Sequence, residues 1–257
     1  SVFHAESGPV LTMQTGTITL SETSGSYIHN MTVPVGITTT QASDVTLMGN
    51  ILIYGNLDQG GENIYLSGGN FYLGLISTLV NPDSLIVSGS SNFADGKGTP
   101  SIIGDLDVLA GGNLLLLGDI TIGGNFSNLG IFQILGWDVN DVGGTFDNQG
   151  TIVLHGDADF NIPTDPFDLI NLGTIQYVDG APTPITLGLN NPDAYDSLIL
   201  SGTNTYFIND TVTIQGTLQI DASSNIYIGP GKTLALEGSI PSFSEDDIIN
   251  DGTLFFQ

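Results

Sequence analysis

At 257 residues and 40% hydrophobic side chains, the chain has material for one large core or two ordinary ones, and its composition is not that of a disordered segment. It carries 27 Asp and Glu against two Lys (Lys97 and Lys232) and no Arg, a formal charge of −25, which argues against nucleic acid and anionic membrane surfaces as partners. There is no Cys, and no apolar run reaches the roughly 18–20 residues of a membrane-spanning helix, so disulfides, thiolate metal sites and helical membrane insertion are not expected.

In chain order the recognisable elements are short alternating segments. They begin with "TGTITL" (15–20), "GNILIYG" (49–55), "ENIYLSG" (62–68), "SLIVSG" (84–89), "GDLDVL" (104–109) and "DITIGG" (119–124). "GTIVLHG" (150–156), "GTIQYV" (173–178), "TVTIQG" (211–216), "GTLQID" (216–221) and "NIYIG" (225–229) continue the series. Each puts an apolar, often β-branched or aromatic residue at every second position, so one face is buried and the other wetted. Gly, Asn and Asp fill the gaps, as turns require. No helical i, i+3, i+4 spacing persists. The chain reads as all-β.

Longer phrases also return. "DSLIVSGSSNF" (83–93) reappears as "DSLILSGTNTYF" (196–207), 113 residues on, and the likeness runs for about forty residues; "GNILIYGNLDQGGENIYLSGGNF" (49–71) has the same beat. A shorter signature, apolar-x-Asn-x-Gly-x-apolar, occurs in "FSNLGIFQI", "FDNQGTIVL", "LINLGTIQY" and "IINDGTLFF". Its Asn and Gly are Asn128 and Gly130, Asn148 and Gly150, Asn171 and Gly173, and Asn250 and Gly252. The first three Asn lie 20 and 23 residues apart. That spacing fits a right-handed parallel β-helix (β-solenoid) of roughly 20–23 residues per coil, with coils stacked about 4.8 Å apart. The 113-residue period then corresponds to about five coils. In such a stack each Asn bonds the Asn or backbone of the next coil, and each Gly supplies a corner conformation closed to residues with a Cβ. The competing architecture is a β-sandwich, which offers no reason for the Asn-x-Gly phrase.

"DSLIVSG…IIGDLDVLAGGNLLLLGDITIGGNFSNLGIFQI" and "YDSLILSG…VTIQGTLQIDASSNIYIGPGKTLALEGSI" resemble the repeats of large secreted bacterial β-helix surface proteins of Bacteroidota type. The resemblance covers about residues 45–257, leaving 1–44 as an N-terminal β-rich segment or cap. It implies an extracellular location and an adhesive or structural role in a surface layer, filament or stalk. Ser1 in place of Met fits a mature chain whose export signal has been removed. A carbohydrate-binding or polysaccharide-degrading β-helix is the alternative, with surface glycans as partners.

Candidate chemistry is sparse. His4, His29 and His155 have no metal-ligand spacing, and the absence of Arg leaves a uronate lyase or polygalacturonase poorly equipped. Acidic pairs in "DVND" (138–141), "DPFD" (165–168) and "EDD" (245–247) read as solvated turn residues, so no catalytic residue is assigned. Calcium is the one cofactor with a candidate site: Asp157, Asp159, Asn161 and Asp168 imitate an oxygen-ligand loop, but Ile162 stands where its glycine belongs. Three sequons begin at Asn30, Asn125 and Asn209. Apolar Val2 and Phe3, and Phe255 and Phe256, mark uncapped ends, as expected either of a fragment of a longer array or of subunits whose coils stack head to tail.

Overall fold

The computed structural model describes residues 11–12, 17–20, 27–75, 77–80, 82–96, 100–156, 158–160, 169–178, 185–187, 194–221, 223–238 and 247–257. Among them, strands dominate and every strand pairing is parallel, giving one 18-stranded and three four-stranded sheets. The chain is a three-sided β-solenoid. From Val45 it visits face I (45–47), face II (50–53) and face III (56–58), then returns to face I one rung further on at 64–66. Faces I and II merge into the large sheet because strands such as Val45–Ile53 and Ile64–Leu73 run round the corner between them.

The coil length varies. Leu116 pairs with Ile134, whereas Leu154 pairs with Tyr177, so a coil takes 18 residues in one place and 23 in another. Most of the surplus goes into corners; on face III one extra residue forms a bulge where Thr121 pairs with Asn140 but Ile122 with Val142. The ladder also runs through the N-terminal part of the chain: Leu11 pairs with Met31, Thr17 with Thr38, and Met31 with Ile51.

Alternation decides which side chains enter the core. On face I, Val45, Ile64, Leu85, Leu106, Phe126 and Phe146 follow one another rung by rung, all buried. Facing columns fill the space between them; Phe126 stacks on Phe146 at 5.2 Å, and Phe160 meets both edge-on from face III. Each such ring removes enough apolar surface from water to stabilise the fold by about 2–3 kcal/mol. No rung could bury its inner side chains alone, so the stack holds together through neighbours.

The long repeat takes an unexpected path through this frame. Leu85 and Val87 of the first phrase lie on face I, paired with Leu106 and Val108. Leu198 and Leu200 of the second lie on face II, paired with Leu218 and Ile220. The period is therefore five coils and a third of a coil, not five, and the second copy is advanced by one face.

Candidate functional site

The corner between faces I and II is the most specialised part of the chain. Inward positions there run Leu66, Val87 and Val108, then Asn128, Asn148 and Asn171 in the same column. Asn128 and Asn148 are fully buried. Asn128 Nδ2 donates to Asn148 Oδ1 at 2.8 Å, and Asn148 Nδ2 to Asn171 Oδ1 at 2.9 Å. Asn128 also donates to the Thr151 carbonyl at 3.2 Å and accepts from the Gly130 N–H at 3.2 Å. The amides thus tie the turn backbone of one coil to the next. The fourth Asn-x-Gly phrase is placed elsewhere: Asn250 ends a face III strand in register with Ile228, is exposed, and accepts a local bond from Gly252 N–H at 3.0 Å.

The glycines of the phrase have a different role from the expected one. Gly130, Gly150, Gly173 and Gly252 are not in the positive-φ region. A Cβ at Gly150 would strike the Gly130 carbonyl, and one at Gly173 the Gly150 carbonyl. Close stacking of successive corners requires glycine here; an unusual dihedral does not.

Outside, this stripe forms the floor of a groove of about 620 Å³ running along the solenoid. Exposed Leu129 and Leu172 with Gln149 wall it on one side, and Ile131, Thr151 and Thr174 on the other. Asp196, in line with the glycines, closes one end, so the lining is almost wholly uncharged.

A second amide ladder lies on the outer surface of face II. Asn50 N–H donates to Asn30 Oδ1 at 2.8 Å, Asn70 Nδ2 to Asn50 Oδ1 at 2.6 Å, and Asn92 Nδ2 to Asn70 Oδ1 at 2.7 Å. Sequence reasoning missed it, yet the signal was there: each of Asn50, Asn70 and Asn92 directly precedes a buried apolar residue, at spacings of 20 and 22. Inward-facing Gln41 and Gln59 were also missed; they donate to the Asn63 and Glu62 carbonyls at 2.6 and 3.2 Å.

Two titratable groups with raised pKa values lie on face I. Burial, followed by the neighbouring Asp105 carboxylate, raises the Asp107 pKa. Burial, then the Asp44 carboxylate, raises that of the Tyr65 phenol. On face III, the bond from Tyr227 Oη to Asp251 at 3.0 Å is the first cause of a raised phenol pKa. Among the described residues no three acidic or imidazole groups converge as a metal site needs. Of the proposed calcium loop, Asp157, Asn161 and Asp168 lie outside the described residues, as does the side chain of Asp159.

Of the end residues, Val2 and Phe3 lie outside the described region. Phe255 and Phe256 are about half exposed on Thr253–Phe256, which pairs with Thr233–Leu236. Two sequon asparagines are engaged between coils: Asn30 accepts from Asn50, and Asn125 Oδ1 accepts from Thr145 N–H and Oγ1, each at 3.0 Å. Comparison with family models, curated proteins and solved structures finds no match to this chain.

Proposed function

We propose that the chain is an extracellular structural element, a stiff length of solenoid in a surface layer, stalk or adhesin, with no catalytic step of its own. The observation that carries this reading is the continuous parallel stack, cross-tied by the Asn128–Asn148–Asn171 and Asn50–Asn70–Asn92 ladders. Bending such a rod means separating stacked apolar columns at every rung, and amide pairs with them where the two ladders run. A surface built from Ser, Thr, Asn and Gln, with only 11% charged residues, also suits a spacer that must stay hydrated without attracting polyanions. Immunogold labelling of intact source cells, with negative-stain images of the purified chain, tests this. Surface-bound, straight rods are expected; a cytoplasmic pool or globular particles would defeat it.

The glycine-floored groove favours a second reading, glycan binding. Its leucines offer apolar contact to sugar rings, and Gln149, Thr151 and Thr174 offer hydrogen bonds to hydroxyls. A glycan array comparing the natural chain with Gln149→Ala/Thr174→Ala addresses it, the double variant losing any signal that the groove provides.

A further inference from the structure

The acidic groups are distributed unevenly, and one face escapes them. Nine successive face II strands, from 50–53 to 217–220, stay in register without a break. In a chain with 27 Asp and Glu, none of these strands turns a carboxylate outward. Their single acid, Asp95, is buried and accepts from the Ser101 N–H at 2.9 Å. Face I, by contrast, carries Asp107 and Asp147 on its outward positions. Outward side chains on face II include Ile131 and Leu135, 41% and 45% exposed.

We propose that face II is a lateral self-association surface, on which a second copy of this chain packs face to face. Charge argues for this occupant. Two chains of −25 repel wherever carboxylates meet, and face II is the side on which they can approach without bringing any together. The order of residues argues for it too. The central outward column reads Asn50, Asn70 and Asn92, then Leu115, Gln133, Val153, Gln176, Ile199 and Gln219, so that from Leu115 on apolar and amide residues alternate, with Val153 set low between its neighbours at 9% exposed. A twofold axis along the strand Thr151–His155 sets Val153 on Val153, Leu115 on Ile199, and Gln133 on Gln176. Apolar then meets apolar, and amide meets amide, as an isologous interface requires. Since both partners share one rung spacing, the match extends over the overlapping rungs, Asn92 then meeting Gln219, with the sheets about 10 Å apart. The seven rungs that overlap, from 91–95 to 217–220, at about 4.8 Å and each some five residues wide at about 3.3 Å, give about 550 Å² per copy and about 1,100 Å² per pair, just above the roughly 1,000 Å² that a biological interface clears.

The test is sedimentation velocity of the whole chain over a range of concentration and NaCl, with two variants checked by circular dichroism for unchanged strand content. Gln133→Asp/Gln176→Asp puts carboxylates on face II. Ser127→Asp/Thr121→Asp adds the same charge on faces I and III. The natural chain is expected to dimerise, more tightly as salt screens the remaining repulsion. The face II variant is expected to weaken the dimer by about tenfold or more, and the control to dimerise like the natural chain. A natural chain that stays monomeric at every salt concentration overturns the proposal, and so does a control that dissociates as readily as the face II variant. A monomer whose adhesion to an insoluble neutral polysaccharide is abolished by the face II variant would also overturn it, and would assign the face to a glycan.

Discussion

Replacing Asn148 by Ala removes the middle amide of the buried ladder. Two hydrogen bonds go with it, 2.8 Å from Asn128 and 2.9 Å to Asn171. Each is worth about 0.5–1.5 kcal/mol net, and a buried partner left unsatisfied costs about 1–3 kcal/mol. Neither survivor bears the full penalty. Asn128 keeps the Thr151 carbonyl at 3.2 Å, and Asn171 is only partly buried, so water reaches it. The expected loss is about 2–3 kcal/mol. Asn250→Ala, in the same local phrase, removes one exposed bond and should cost less than about 0.5 kcal/mol. Urea unfolding followed by circular dichroism compares the two. Hydrogen exchange at the amides of residues 126–131 and 169–174 shows whether the weakening is centred on the neighbouring coils, as a nearest-neighbour stack requires. Equal effects from the two substitutions, or less than about 0.5 kcal/mol from Asn148→Ala, would refute the assignment of stability to stacked amides.

Gly150→Ala should destabilise by more than Gly231→Ala, because its Cβ meets the Gly130 carbonyl whereas Gly231 (φ +76°) has open space and only the left-handed strain of about 1 kcal/mol; thermal melts would show the order, and the reverse order would count against close stacking. Asp107 has a folded pKa raised above its unfolded value, so its favourable contribution is complete below the unfolded pKa and is lost as pH rises through the folded one. Asp107→Asn should therefore unfold at a higher temperature than the natural chain near neutral pH, with the gap closing in acid; a pH-independent gap would contradict this. With 27 acidic residues against two Lys, adding NaCl or a divalent cation should raise the melting temperature, and a flat salt response would mean that repulsion is not limiting.

Strand content and coil length were legible because both follow from short-range constraints. In "FSNLGIFQI", Phe126, Phe132 and Ile134 had to point one way for any core to exist, and Asn128 with Gly130 announced the corner. The polar interior was not legible. "TTTQ" (38–41) has no apolar residue, yet Thr39 and Gln41 face inward because their rung is held by the strands around it. The reason for the corner glycines was misread for a related cause. A positive φ is a property of one residue, whereas the clash at Gly150 involves a carbonyl 20 positions away that only the coil stack brings close. The groove and the uncharged face were hidden likewise, since Leu129 and Leu172, or Leu115 and Ile199, are distant in the chain and aligned only by register.

The extra third of a coil in the long repeat explains why a phrase does not by itself specify what its residues do. A rung on any face makes the same local demand: two inward apolar residues at alternate positions, followed by a corner. Leu85 and Val87 on face I meet it as well as Leu198 and Leu200 on face II. A displaced copy therefore still folds, because the backbone ladder is indifferent to which face it builds. Side-chain ladders are not indifferent, since they depend on the residue above and the residue below. Asn148 lies between two asparagines and is buried, whereas Asn250 follows Ile228 and faces solvent. In this chain the fold is written strand by strand, and the special surfaces are written in the vertical columns, where a shift of one face exchanges every neighbour.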